Sequence, residues 1–159
     1  MCGGLVLNET LKNERLKRVT AEWSHPRQLE KNWYNELLWD NGLYYISRKF
    51  GSTETFLYIG QTSVAYVDRL SDHDWNWLHK YRGKKYFRLG TIIYPTRKTK
   101  DDMKQLIIDV ESALIYETQP LNNEKAKKSY NPKHLYIIEN TGKRGELPRK
   151  VSMRNHIIE

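Results

Sequence analysis

Two short apolar-aromatic runs constrain this chain more than anything else in it: Gly42-Leu43-Tyr44-Tyr45-Ile46 and Phe56-Leu57-Tyr58-Ile59-Gly60. Both are built from residues that favour extended backbone. Between them lies Phe50-Gly51-Ser52-Thr53-Glu54, a polar segment with one glycine. That arrangement predicts a β-hairpin. After Gly60, Gln61-Thr62 turns the chain into a segment of helical character. Arg69 and His73 stand four residues apart in it. On a helix this spacing puts both side chains on one face. The hairpin thus brings Tyr44 and Tyr58 together, with an arginine and a histidine beside them.

A third extended run, Lys84 to Tyr94, follows the basic turn Arg82-Gly83-Lys84-Lys85 and stops at Pro95. With the hairpin it predicts a small three-stranded mixed sheet. Residues 63–81 read as helical, with a break near Ser71-Asp72. A longer helix starts at Lys100 or Asp101, carries the stripe Leu106, Ile107, Val110, Ala113 and Leu114, and stops at Gln119-Pro120. Leu29, Trp33, Leu37 and Leu38 recur at helical steps, so residues 27–39 read as a helix too. His134 to Glu139 reads as a late strand. The expectation is an α/β (α+β) domain with helices flanking the small sheet. The chain divides into a helical extension over residues 1–40, a core over 41–124, and a basic extension with a strand over 125–159.

The 159 residues suit one domain with its own core. Only 38% are hydrophobic, so the 12% that are aromatic must supply much of the buried area. Trp75, Trp77, Leu78 and Tyr81 read first as a packing cluster; exposed members could stack on unpaired bases. Lys+Arg 27 against Asp+Glu 19 gives a net charge of +8, which favours a polyanionic partner. Arg82, Lys84 and Lys85 form one basic group, and Lys125, Lys127 and Lys128 another. Lys12, Arg15, Lys17 and Arg18 put further charge on the N-terminal arm. The single cysteine, Cys2, excludes an internal disulfide and a multi-cysteine zinc site. Its place after Met1 raises an N-terminal nucleophile, but no partner groups accompany it. No leader or membrane span is visible, so a soluble cytoplasmic protein near the nucleoid is expected.

Glu111 lies beside Ile107, Leu114 and Ile115. A carboxylate on an apolar face is costly unless it is paired or bound to a cation. A salt bridge to Arg69 and a metal site are both consistent with that position. Tyr44-Tyr58-Arg69-Glu111 is a set suited to phosphodiester hydrolysis. That reaction needs charge neutralisation at phosphorus and a deprotonated water. An arginine can fork onto phosphate oxygens. Tyr44, with Tyr58 or His73, can accept the water proton, and a tyrosine base needs a neighbouring positive charge.

From Gly42 to Asn123 the chain resembles the GIY-YIG nuclease superfamily. Gly42-Leu43-Tyr44 stands for the first half-motif, with Leu for Ile, and Tyr58-Ile59-Gly60 is the second, intact. Arg69, Glu111, and Asn122 or Asn123 after Pro120 match the family's later residues in order. The resemblance implies a DNA endonuclease with one Mg²⁺ or Mn²⁺ on Glu111 and the Tyr44 hydroxyl implicated as base. The alternative is a module on the same fold that holds nucleic acid without cutting it. The segment after Asn123 is too short for a large separate DNA-binding domain. Site specificity would then come from a homodimer or from the terminal arms.

Overall fold

The computed structural model describes residues 3–7, 9–94, 96 and 98–158. Cys2 and Pro95 lie outside the described residues. Seven strands form one mixed sheet: β1 (Lys17–Trp23), β2 (Arg27–Gln28), β3 (Gly42–Phe50), β4 (Thr53–Thr62), β5 (Lys84–Ile93), β6 (Tyr136–Gly142) and β7 (Lys150–Ser152). Their order is β4-β3-β5-β1-β6-β7, with β2 paired to β5. The β1–β6 pairing is parallel and the others are antiparallel. Among the described residues three α-helices accompany the sheet: the single turn α1 (Glu9–Lys12), α2 (Tyr66–Asn76) and α3 (Lys100–Thr118).

This corrects the expected three-stranded sheet. The hairpin and the third strand are present as β3, β4 and β5, but they make only half of it. The rest comes from the two ends of the chain. Lys17–Trp23 alternates inward Val19, Ala21 and Trp23 with Thr20 and Glu22, which is the period of a half-buried strand. Its charged start disguised it as part of a basic arm. β6 then slots beside it, and the Trp23 indole donates across to Asn140 Oδ1 at 3.0 Å.

Residues 27–39 are not a helix. After the short β2 come two 3₁₀ turns, Leu29–Lys31 and Glu36–Trp39. Asn32 Nδ2 donates to Gln28 O at 2.6 Å, and Asn35 Oδ1 accepts from Leu37 N at 3.0 Å. Such local side-chain bonds compete with helix continuation. α2 runs unbroken through Ser71-Asp72, because both residues face solvent while Tyr66, Leu70 and His73 are buried. α3 begins at a capping Thr99, whose hydroxyl accepts from Asp102 N at 3.1 Å. It ends where Gln119 turns left-handed at φ 51°, just before Pro120.

Six successive residues of β3, from Gly42 to Ser47, are buried, because the sheet is covered on both faces there. Leu43 and Tyr45 pack with Val19, Ala21, Trp23 and the α3 residues Leu106, Val110, Ala113 and Leu114. Tyr44 and Ile46 pack with Leu38, Leu57, Tyr66, Leu70, Leu78 and Phe87. So β3 separates two cores, and Tyr44 belongs to the one beneath α2. Among the described residues, no helix is long and apolar enough to cross a membrane.

Candidate active site

Both motif glycines have a steric reason. Tyr44 lies directly opposite Gly60 in the hairpin register. A Cβ at Gly60 would fall on the Tyr44 ring and hydroxyl, so only glycine lets that ring lie across β4. Gly42 has φ +140°, and a Cβ there would crowd the Tyr66 hydroxyl and come within 2.9 Å of Gly90 O. The hairpin register slips once: Ile46 faces Tyr58 while Ser47 faces Phe56, leaving Leu57 as a bulge. Leu57 and Tyr58 consequently both reach the α2-side core.

β4 is an edge strand, and its outward backbone groups need partners. The loop after α3 supplies them. Asn122 N donates to Leu57 O at 2.8 Å. The buried Asn123 accepts from Ile59 N at 3.0 Å and donates to Ile59 O at 2.8 Å, acting as a side-chain surrogate for a neighbouring strand. The two asparagines therefore differ in what they do. Asn123 clips the edge strand that carries Tyr58, whereas the Asn122 side chain accepts from the Tyr81 hydroxyl at 2.7 Å.

Four elements converge beneath α2. Tyr44 from β3 has its hydroxyl 2.7 Å from Nε2 of His73. Tyr58 from β4 stacks beside Tyr44 at 6.1 Å and packs against the His73 ring at 4.4 Å between centroids. The Trp77 indole donates to Nδ1 of His73 at 3.0 Å. Arg69, one turn before His73, acts electrostatically on Tyr44, Tyr58 and Glu111 together. Burial pushes both tyrosine hydroxyls above their usual range, and Arg69 pulls both back. Burial, then Arg69, drives His73 down to about 4, so its imidazole is neutral at pH 7. Burial lifts the Glu111 carboxyl to about 7, against the pull of Lys125, Arg69 and the Gln61 backbone.

Glu111 forms no ion pair among the described residues, so the alternative pairing with Arg69 is not made. Among those residues no three His, Cys, Asp or Glu side chains gather as a chelating group. What is present is a single carboxylate, mostly withdrawn from water and lacking a paired cation. That fits one hard dication sharing its shell with water and phosphate oxygens, as Mg²⁺ does.

The basic residues divide by position. Lys125 faces Glu111 closely enough to be the largest influence opposing its burial. Lys127 and Lys128 lend backbone carbonyls, to Gln119 Nε2 at 2.8 Å and to Gly4 N, and Lys128 is exposed. Lys84 and Lys85 lie opposite Lys49 and Arg48, at the far end of the hairpin. From Tyr44 to Lys49 is five residues of strand, roughly 17 Å. Arg82 is exposed beside them, its carbonyl accepting from Arg48 Nη1 at 3.3 Å.

No family model, curated protein or solved structure matches this chain. What the site can do rests on its own geometry.

Two features of that geometry escaped the sequence. Trp77 reaches the polar centre rather than simply filling core; the signal was its spacing, one helical turn beyond His73. Arg48 and Tyr81 link the site to the basic end: the Arg48 guanidinium lies 5.3 Å from the Tyr81 ring, and Tyr81 meets Trp77 at 6.1 Å. Trp75, expected in the packed cluster, is instead 83% exposed.

Proposed function

We propose that this chain is a divalent-metal-dependent DNA endonuclease acting at the Tyr44–Tyr58–Arg69–Glu111 centre. One observation supports this above the rest. Two hairpin tyrosines, an arginine and a desolvated, unpaired carboxylate reach one place from four elements. Stability alone gives no reason to bury Glu111 without a salt bridge, under only the longer-range pull of Lys125 and Arg69.

Mg²⁺ or Mn²⁺ held by Glu111 would neutralise phosphate charge and lower the pKa of a bound water. The chain's own residues do the positioning. Arg69 is exposed on α2 and offers a guanidinium fork to the phosphate oxygens. Tyr44 is fully buried, and Arg69 favours its ionised form while burial opposes it; the partly exposed Tyr58 beside it shares the role of meeting the attacking water. Asn123 fixes β4, and so Tyr58, without touching substrate. Lys125 and the cluster of Arg48, Lys49, Arg82, Lys84 and Lys85 carry the DNA backbone on either side. Cutting both strands would take two copies of the site, which a homodimer provides.

A binding module that does not cut is the second reading. It is favoured by the concentration of charge at the hairpin tip, well away from Tyr44. Supercoiled plasmid separates the two. The parent should nick it with Mg²⁺ or Mn²⁺ and not with EDTA. Glu111→Gln should keep DNA affinity, lose metal affinity and lose nicking altogether. A folded Gln variant that binds Mn²⁺ and nicks as the parent does would end the metal assignment. A parent that retains DNA in a salt-dependent way but never nicks leaves the binding module.

A further inference from the structure

We propose that Trp77 is a positioning residue that fixes His73 as its Nε2–H tautomer, making His73 a hydrogen-bond donor to the Tyr44 oxygen and not an acceptor of the Tyr44 proton. The consequence for catalysis rests on the nuclease reading; the proton pattern itself does not.

The inference follows from counting donors. An indole N–H can only donate. Trp77 Nε1 lies 3.0 Å from His73 Nδ1, so Nδ1 is the acceptor. A neutral imidazole carries one N–H, and with Nδ1 occupied it must be on Nε2. Nε2 is 2.7 Å from the Tyr44 hydroxyl, so Nε2–H donates and the Tyr44 oxygen accepts. The Tyr44 proton must then point elsewhere, away from His73. The imidazole is neutral under these conditions, since its burial and Arg69 both oppose a second proton.

This removes His73 from a role that the sequence left open among Tyr44, Tyr58 and His73. His73 cannot take the Tyr44 proton through Nε2 without first losing its own. Its N–H supports the Tyr44 oxygen as hydroxyl and supports it more strongly as phenolate. His73 and Arg69 thus aid the ionised form of Tyr44 from two directions, and the proton acceptor is left to the two hairpin tyrosines, Tyr44 and the more exposed Tyr58. Trp77 never touches substrate in this scheme. It acts through the imidazole, while its ring packs against Tyr58 at 5.8 Å and Tyr81 at 6.1 Å.

Nitrogen-15 NMR of the His73 ring reads the tautomer directly. The parent should show a protonated Nε2 and a bare Nδ1 at neutral pH. Trp77→Phe keeps the packing ring and removes the N–H. It should give mixed tautomers, slow cleavage about 10-fold or more, and leave DNA affinity unchanged, the pattern of a group that orients a neighbour. His73→Gln, which retains an N–H donor, should cut faster than His73→Leu. A parent with its proton on Nδ1 overturns the proposal, and that reading needs no variant. So does a Trp77→Phe spectrum that keeps the parent pattern, or parent-rate cleavage after the pattern changes. If the parent spectrum is as expected but no plasmid is nicked under any metal, the nuclease reading falls and the tautomer assignment stands.

Discussion

Burial favours the neutral forms of both Glu111 and His73, and pH tests this from opposite sides. The Glu111 carboxyl rises from 4.5 to about 7 on folding. Between those values the folded chain keeps a proton that the unfolded chain releases. Stability from the neutral carboxyl is complete below pH 4.5 and is lost as pH rises through 7, by about 3 kcal/mol. His73 falls from 6.5 to about 4. Its neutral form contributes stability that is complete above 6.5 and lost as pH drops toward 4. The two slopes offset between pH 4.5 and 6.5. Glu111→Gln removes only the first. Without added metal, urea unfolding should show the variant near the parent at pH 4.5 and about 3 kcal/mol more stable at pH 8. A variant less stable than the parent at pH 8 would mean that Glu111 is paired in the fold. Adding Mg²⁺ should narrow the gap by stabilising the parent alone.

At the scale of the element, the hairpin works because Gly60 leaves room for Tyr44. Gly60→Ala should push the ring off β4, break its 2.7 Å contact with His73 and cost about 1–3 kcal/mol. Thermal unfolding and nicking assays should show a folded, weakened and inactive protein; full cutting would mean that the ring position is unimportant. This hairpin was legible in the sequence because its apolar-aromatic runs, its glycines and its turn are all local. α3 was legible for the same reason, from a start at Lys100 or Asp101 to its stop at Gln119-Pro120, although its Thr99 cap was not. β1 was not. Its inward Val19, Ala21 and Trp23 follow two charged residues, and its partners β5 and β6 lie far along the chain. Residues 27–39 misled because helical spacing says nothing of asparagines that cap instead of continuing. The site was legible as a set of residues and illegible as a set of hydrogen bonds. Only the fold distinguishes Asn122 from Asn123, or turns Trp77 toward an imidazole.

Across the whole molecule, one concentration of positive charge, Arg48, Lys49, Arg82, Lys84 and Lys85, sits at the hairpin tip. Lys84 and Lys85 lie roughly 17 Å of strand from Tyr44, so under the proposed function they should govern holding and not cutting. Replacing both with Ala should weaken DNA binding across all sequences and lower the salt slope by about 1–2, while saturating DNA restores the parent cleavage rate. Filter binding from low to moderate salt would measure this, and an unchanged slope would remove the tip from the interface. The position of β1 matters in time as well as in space. During synthesis β1 emerges first, yet one neighbour is made only at Lys84–Ile93 and the other only at Tyr136–Gly142. By then Tyr44, Tyr58, Arg69, His73 and Glu111 have all been added to the chain. A chain stopped short of β6 would own every reactive group and still present β1 as a bare edge, ready to pair with any other nascent strand. The last long strand does no chemistry, but its arrival separates a finished molecule from a sticky one.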